Sequence, residues 1–235
     1  MMVAIGNFFF RYRNGLFPVM FALLFVNSRP LIPNQTVAVA LGLVVAGAGQ
    51  LLRAVTIGLA YIIRGGKKRE VYADTLVQDG VFAHCRNPLY VGNLLVLLGL
   101  GMISNSMLFL LAGMPFFIFA YIAIVAAEEN FLRQKFGADF AAYCQRVGRF
   151  IPNFTGFAKT WQGMEFKWRR LIVKEYGSTY AWLAAVCALL LKQRWLQTHN
   201  SSDPWMLGLF AALALVTAAY ATARYLKKSG ALVAD

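Results

Sequence analysis

Long apolar runs separated by short polar segments dominate the hydrophobic pattern of this chain. A run of about 18 or more apolar residues predicts a transmembrane helix. With three shorter runs included, the pattern predicts about six spans, and therefore an all-α polytopic membrane helix bundle. The predicted spans cover residues 16–32, 36–63, 89–103, 107–127, 178–191 and 205–225.

The overall composition leads to the same class of protein. Apolar residues make up 59% of the 235 residues and charged residues only 14%, whereas charged residues average about 25% in soluble domains. A soluble fold of this length cannot bury so much apolar surface. Composition therefore excludes a soluble enzyme, a disordered chain and a secreted disulfide scaffold. The three cysteines follow no disulfide or metal-binding spacing, so we interpret them as reduced thiols.

The basic residues are distributed unevenly along the chain, which carries a net charge of +13. If both termini are cytosolic, nearly all Lys and Arg residues lie in cytosolic segments, as the positive-inside rule requires. This arrangement places the polar segments 64–88 and 128–176 on the cytosolic side. The cations flank apolar runs and form no single patch, so we expect a membrane and no nucleic acid as partner. We expect no metal site, because His84 and His199 fall on opposite sides.

Two adjacent carboxylates, Glu128 and Glu129, end the fourth predicted span. Neighbouring anions at the end of a membrane helix are unfavourable unless a cation compensates them. One interpretation is a structural salt bridge, and the other is a pocket for a cationic ligand. Because successive helical positions point about 100° apart, one carboxylate could meet a ligand ammonium while the other pairs with an arginine.

The segment 80–92 leads into the third predicted span. Asn87 is placed to cap that helix, with Pro88 in its first turn. Arg86 offers a planar set of donors for a carboxylate or phosphate. The alternative is an ordinary capped helix with an arginine at the membrane interface. Donors from this segment and acceptors from Glu128 and Glu129 share one face, so a ligand with both a carboxylate and an ammonium would bridge them.

These two segments together resemble the motifs of isoprenylcysteine carboxyl methyltransferases and phospholipid methyltransferases. The first reads Arg-Asn-Pro-Leu-Tyr-Val-Gly at 86–92, and the second begins Glu-Glu-Asn-Phe-Leu at 128–132 and ends Arg-Phe-Ile-Pro at 149–152. The resemblance covers about residues 36–154, although Phe140 stands where the family usually has Tyr. It implies an integral membrane methyltransferase that uses S-adenosylmethionine. Carboxyl methylation of a lipid or isoprenoid-bearing substrate is the leading expectation, and N-methylation of a phospholipid amine is the alternative.

The resemblance also implies roles for individual residues. The cofactor site would be cytosolic, and a lipid or prenylated substrate would enter from the bilayer. Arg86 would serve both the cofactor and catalysis, and Glu128 and Glu129 would hold the cofactor amino group. The residues expected to bind the cofactor are His84, Arg86, Asn87, Tyr90, Gly92, Glu128 and Glu129.

Arg53 lies near the middle of the second predicted span, on the same helical face as Gln50. An intramembrane arginine is a functional candidate by default, so we expect Arg53 to be catalytic and to meet a substrate anion. The alternative is an arginine bonded to carbonyl groups inside the bundle. Gly99 and Gly101 resemble a Gly-x-Gly of the phospholipid branch, but close helix packing is the preferred interpretation.

We divide the chain into three parts: an N-terminal membrane helix and hairpin (1–35), a methyltransferase core (36–154) and a C-terminal part (155–235). The last part is predicted to hold a helix at the lipid interface, over 157–176, and a transmembrane hairpin; the alternative for 157–176 is a plain basic linker beside the membrane. The hairpin would cover the substrate entrance or form a homo-oligomer contact. Two other classes remain open: an NADPH-dependent sterol-type reductase, whose C-terminal motif resembles 143–147, and a non-enzymatic scaffold. The adjacent carboxylates Glu128 and Glu129 disfavour the reductase, because their negative charge would repel the 2′-phosphate of NADPH.

Overall fold

The computed structural model describes residues 1–59, 73 and 75–233, and these residues form helices and no strands. The predicted all-α membrane bundle is therefore confirmed. A 3₁₀ turn follows the first helix, another precedes the third, and a π-helical turn, Phe109–Gly113, leads into the fourth. The α-helices are α1 (Met2–Phe21), α2 (Gln35–Leu59), α3 (Pro88–Ser104), α4 (Met114–Arg146), α5 (Phe157–Gln162), α6 (Trp168–Thr198) and α7 (Pro204–Lys228).

Helix pairs build the bundle: α2 packs along α3, α1 along α4, and α6 against α2, α3 and α7. Aromatic rings fill the space between α1 and α4. The ring centroid of Phe17 lies 5.2 Å from that of Phe117 and 5.5 Å from that of Tyr121, both edge-on. Edge-to-face packing of this kind adds to the stabilisation from burial. Buried residues of α1, α3, α4 and α6 form one continuous apolar core.

Glycine contacts bring α2 and α3 unusually close. A Cβ atom added to Gly42 would lie 2.6 Å from the carbonyl oxygen of Gly99, and one added to Gly49 would lie 2.6 Å from that of Gly92. The two glycines on each helix are seven residues apart, or about two turns, so both contacts lie on one seam. The close-packing interpretation of Gly99 is confirmed. Gly92 contacts Gly49 and the Arg53 side chain, and its predicted role in binding the cofactor stays a prediction.

Among the described residues, three helical segments are long and apolar enough to cross a membrane: Gln35–Leu59, Phe109–Arg146 and Pro204–Lys228. Pro88–Ser104 is apolar but shorter. The count of six spans stays a prediction. The last predicted turn of the second span, 60–63, and the basic cluster at 64–69 lie outside the described residues.

Several predicted boundaries were wrong. Helix α1 begins at Met2 and not near residue 16, because Phe9 and Phe10 are buried within the core. The guanidinium of Arg13 lies 4.3 Å from the ring centroid of Phe10. The segment 157–176 is not one helix, since the backbone at Lys167 is extended and its N–H donates to the carbonyl of Gly58.

Helices α4 and α6 both extend beyond the predicted spans. α4 runs on to Arg146 and kinks at Gly137, whose φ of 49° suits glycine. α6 begins at Trp168, ten residues before the predicted span. Its first turns carry polar side chains such as Glu175, which hydropathy excludes from a span, but Gln50 and Arg53 on α2 donate to the Glu175 carboxylate within the bundle.

Candidate functional site

An ion triad, formed by Arg86, buried Glu129 and exposed Arg149, joins the start of α3 to the end of α4. Arg86 Nε lies 3.1 Å from Glu129 Oε1, and Arg149 Nη2 lies 2.6 Å from Glu129 Oε2. Arg86 Nη1 also donates to the carbonyl oxygens of Cys144 and Val147, at 3.0 and 2.8 Å. These bonds satisfy carbonyls at the α4 C-terminus. Of the two interpretations of the adjacent carboxylates, the structural salt bridge therefore applies to Glu129.

Asn87 is the N-cap residue of α3, as predicted, but its side chain makes no capping hydrogen bond. Its amide nitrogen instead donates to Glu129 Oε1 at 3.4 Å and to the Arg149 carbonyl at 3.1 Å. Asn87 thus reinforces the triad. The predicted side-chain cap was wrong because Glu129 and the Arg149 carbonyl hold the amide nitrogen of Asn87 and thereby fix the orientation of its side chain.

His84 holds the chain that follows α4. Its Nδ1 lies 2.6 Å from the carbonyl oxygen of Asn153, and its Nε2 lies 2.9 Å from Thr160 Oγ1. A carbonyl only accepts, so Nδ1 donates to Asn153. Next to it, burial raises the pKa of the Cys85 thiol, which keeps the thiol protonated at neutral pH. All three cysteines of the sequence are free.

Arg53 forms a two-pronged ion pair with Glu175 of α6. Its Nη2 and Nε lie 2.5 and 3.0 Å from the two carboxylate oxygens. The same guanidinium donates to Asn93 Oδ1 of α3 and, at 3.2 Å, to Ser178 Oγ. Gln50 Nε2 donates to Glu175 at 3.3 Å and so extends the network. The predicted intramembrane partner was a substrate anion or backbone carbonyls, but the structure places a carboxylate of α6 there.

A cavity of about 280 Å³, the first cavity, lies among α1, α2, α3, α4 and α6. Its wall carries three basic side chains and two carboxylates, together with apolar and aromatic groups. Tyr90 donates its hydroxyl proton to Glu128 Oε1 at 2.7 Å within this wall. The lining residues are Phe10, Arg13, Arg53, Ile57, Phe82, Asn87, Pro88, Leu89, Tyr90, Asn93, Glu128, Lys174, Glu175 and Ser178.

The structure divides the predicted site residues into two groups. Arg53, Asn87, Tyr90 and Glu128 line the first cavity, whereas His84, Arg86, Gly92 and Glu129 are not part of its lining. The predicted division of labour between the adjacent carboxylates matches this geometry, with Glu129 held by arginines and Glu128 at the cavity. The cofactor and catalytic roles themselves stay predictions.

A second cavity, of about 380 Å³, adjoins the first. Arg53, Asn93 and Ser178 line both cavities and form what we call the shared wall. The rest of the second cavity is mainly apolar. A charged cavity that adjoins an apolar one suits the meeting of a polar ligand with a lipid-like one. The other residues lining the second cavity are Phe17, Pro18, Phe21, Gln50, Val96, Leu97, Leu100, Phe117, Tyr121, Ala181 and Trp182.

Sequence reasoning missed the contribution of α6, which supplies Lys174, Glu175 and Ser178 to the first cavity. One signal was present: Glu175 is the only acidic residue between Glu165 and Asp203. A lone carboxylate beside an apolar run indicates a paired or functional group. Asn93, which directly follows the motif ending at Gly92, was missed as well.

Residues 36–139 match the phospholipid methyltransferase family in a comparison with known protein families. The cobalt-zinc-cadmium resistance protein CzcN of Cupriavidus metallidurans is 33% identical over 164 residues, which are 65% of this chain and 69% of that protein. The nickel-cobalt-cadmium resistance protein NccN of Alcaligenes xylosoxydans xylosoxydans is 31% identical over 117 residues, 50% of this chain and 49% of that protein. No solved structure matches. Within the described ranges, no three His, Cys, Asp or Glu side chains are grouped as metal ligands.

Proposed function

Because this chain belongs to the phospholipid methyltransferase family of integral membrane methyltransferases, we propose that it transfers a methyl group from S-adenosylmethionine to an amphiphile from the bilayer. The observation that carries the proposal is the pair of adjoining cavities. The first carries charges of both signs, and the second is mainly apolar. A water-soluble methyl donor and a lipid-like acceptor need these two environments, brought together at one wall.

The lining of the first cavity fits the groups of the methyl donor. Glu128, with the Tyr90 hydroxyl on its carboxylate, supplies negative charge for an amino group. Arg13 and Lys174 supply positive charge for a carboxylate. Phe82 and the neighbouring apolar residues offer surface for an aromatic base. When bound, S-adenosylmethionine supplies a methyl group whose bond to sulfur breaks with the electron pair on the sulfur, while an acceptor lone pair forms the new bond.

Positioning and the exclusion of water are the contributions of this chain to such a transfer. The ion triad fixes the start of α3, and thereby Tyr90, against α4. Arg53, Asn93 and Ser178 form the wall at which the two ligands would meet. A carboxylate acceptor needs no general base, whereas an amine must arrive without its proton. Carboxyl methylation therefore stays a proposal, with N-methylation of a phospholipid amine as its alternative.

We further propose that the first cavity opens towards the cytosol. The support is the positive-inside rule, since the segments that carry the motif are rich in Lys and Arg. The two relatives are named for metal resistance. The activity that we propose for this chain is methyl transfer.

Calorimetric binding of S-adenosylhomocysteine to the protein in nanodiscs tests the proposed function. We expect micromolar affinity in the wild type and a loss of about tenfold or more in Glu128→Gln, because a charged hydrogen-bonding partner is removed. Glu165→Gln is the matched control, since Glu165 does not line the cavity and its side chain is 83% exposed. Its affinity should equal that of the wild type.

Absence of binding to the wild type, in detergent as well as in nanodiscs, would contradict the proposal. NADPH would then be the next ligand, because a sterol-type reductase is the rival enzyme class. Binding of neither ligand would favour a membrane scaffold.

A further inference from the structure

A third cavity, of about 330 Å³, lies among α2, α6 and α7. Most of its lining is aliphatic or aromatic, and three tyrosines bound it on one side. The ring centroid of Tyr220 on α7 lies 4.5 Å from that of Tyr180 and 5.4 Å from that of Tyr176, both on α6. Helices α6 and α7 fall outside the matched residues 36–139, so the family match does not explain this cavity.

The polar side chains inside the third cavity are already engaged with one another. Both oxygens of the Glu175 carboxylate accept from Arg53, at 2.5 and 3.0 Å. Gln50 Nε2 donates to Glu175 at 3.3 Å and to Thr179 Oγ1 at 3.1 Å. The charge of the carboxylate is therefore compensated within the bundle, and the space that remains suits a hydrocarbon chain better than a charged group.

Two cations of α7 lie directly beside the tyrosines of this cavity. Arg224 Nη1 donates to the Tyr220 hydroxyl at 2.8 Å. Lys227 Nζ lies 5.1 Å from the ring centroid of Tyr176 and donates to the carbonyl of Val173 at 3.1 Å. Both cations are exposed on the outer surface of the bundle. The apolar cavity thus adjoins a basic surface at the end where α7 finishes and α6 begins.

The charge of this basic surface is not balanced by nearby acids. The adjoining segments 168–178 and 220–228 contain six Lys and Arg residues and one carboxylate, Glu175, which is paired with Arg53. Among the described residues, neither Arg224 nor Lys227 lies within 4.0 Å of a carboxylate oxygen. Their hydrogen bonds to a hydroxyl and a carbonyl leave both positive charges without a counter-charge.

A phosphate is the counter-charge that this arrangement fits. A guanidinium presents a planar set of donors that matches phosphate oxygens, and a lysine beside it adds a second positive charge. A zwitterionic head group would bring an ammonium among the same cations, where it would be repelled. A head group with a net negative charge avoids that repulsion. The apolar cavity beside the cations provides room for a chain attached to the phosphate.

We propose that an anionic phospholipid binds here, with its phosphate on Arg224 and Lys227 and part of an acyl chain in the third cavity. Basic pockets between membrane helices bind the head groups of anionic lipids in this way. This lipid is a bound partner that holds α7 against α6 and α2. It is separate from the methyl acceptor, which the proposed function places at the second cavity, and it does not depend on methyl transfer.

The test measures binding of radiolabelled dioleoylphosphatidylglycerol to the delipidated full chain in detergent, with protein-free micelles subtracted. Unlabelled dioleoylphosphatidylglycerol, dioleoylphosphatidylcholine and inorganic phosphate serve as competitors. We expect saturable binding, with phosphatidylcholine about tenfold weaker as a competitor and phosphate at 10 mM without effect.

A double variant that removes the two cations tests the head-group contacts. Arg224→Gln with Lys227→Gln should lower the affinity for phosphatidylglycerol about tenfold or more and remove the preference over phosphatidylcholine. Arg11→Gln with Lys159→Gln is the matched control, because it removes two exposed cations that do not line the third cavity. The control should bind as the wild type does. Circular dichroism spectra that match the wild type show that the variants are folded.

A second pair of variants tests the acyl-chain contact without changing any charge. Ala219 lines the third cavity and its neighbour Ala218 does not. Ala219→Phe should occupy the space of the chain and lower the affinity for both lipids about fivefold or more. Ala218→Phe should leave both affinities unchanged.

Several results would overturn the proposal. Equal affinity for the two lipids, or equal affinity of the two double variants, would show that Arg224 and Lys227 do not select the head group. Displacement by inorganic phosphate would assign the cations to a free anion. Equal affinity of Ala219→Phe and Ala218→Phe would place the chain outside the third cavity. None of these results involves S-adenosylhomocysteine, so the proposed function is tested separately.

Discussion

At the scale of single residues, the pairing of Arg53 with Glu175 governs what the centre of the bundle can do. The two side chains are only 12% and 5% exposed, so each charge depends on the other for compensation. Removing one member of a buried pair is much more costly than removing both, since only the first change leaves a charge uncompensated. The pair therefore joins α2 to α6 and also sets the charge of the shared wall.

A double-mutant cycle on this pair should show strong coupling. We expect Arg53→Met to lower the free energy of unfolding by about 3–5 kcal/mol, because the Glu175 carboxylate is left buried without its cation. Arg53→Met combined with Glu175→Leu should recover most of that loss. The measurement is equilibrium unfolding in detergent, followed by tryptophan fluorescence. A double variant whose loss equals the sum of the losses in Arg53→Met and Glu175→Leu would show that the two charges act independently.

The adjacent carboxylates show how one residue step changes a role. Glu129 is enclosed by Arg86 and Arg149, while Glu128 lines the first cavity. The 100° rotation between them was evident from the sequence. The sequence did not show which carboxylate faced which way, because the rotation of α4 is set by its packing against α1 and α3.

At the scale of elements, the antiparallel contact of α2 and α3 positions the motif. Backbone meets backbone at Gly42–Gly99 and at Gly49–Gly92. Small residues permit this approach, and in a membrane such packing replaces the hydrophobic driving force between helices. Arg53, one turn beyond Gly49, is thereby brought next to Asn93.

Alanine substitutions on α2 should therefore act in opposite directions at two nearby positions. A Cβ atom at Gly49 would lie 2.6 Å from the Gly92 oxygen, whereas one at Gly47 would meet nothing within 4 Å. We expect Gly49→Ala to cost about 1–3 kcal/mol through overpacking. Gly47→Ala should stabilise by about 0.5–1 kcal/mol through helix propensity. Unfolding in the same detergent measures both, and equal effects would contradict the close contact.

At the scale of the whole molecule, the two long helices of the C-terminal part differ in whether they line the candidate site. α6 lines both cavities, whereas no residue of α7 lines either of them. Met206 is the one buried residue recorded on α7. The predicted C-terminal hairpin is therefore two helices with different environments. The predicted homo-oligomer contact stays untested.

Truncation should separate the two helices. A chain that ends at residue 199, which lacks α7, is expected to retain S-adenosylhomocysteine binding, because lipid can replace α7 against α6 at little cost. A chain that ends at residue 155 also loses Glu175 and should lose binding, since Arg53 is left uncompensated. Calorimetry on both truncated chains in nanodiscs measures this. Loss of binding in the longer one would assign α7 a part in the fold of the site.

The sequence by itself determined the class of the protein and the location of its motifs. Apolar runs such as those at 89–103 and 107–127 can be satisfied only as helices in lipid, and α3 and α4 include them. The motif residues at 86–92 and 128–129 could also be recognised from the sequence alone, because their identity and spacing do not depend on distant contacts.

Only the tertiary structure decided the partners. Glu175 lies 122 residues beyond Arg53, and no local periodicity connects positions so far apart. The polar first turns of α6 were missed because hydropathy treats a polar residue as exposed, whereas Arg53 and Gln50 satisfy such residues inside the bundle. Side-chain pairing across the bundle, which depends on how the helices rotate and pack, determined which of the predicted residues reach the cavities.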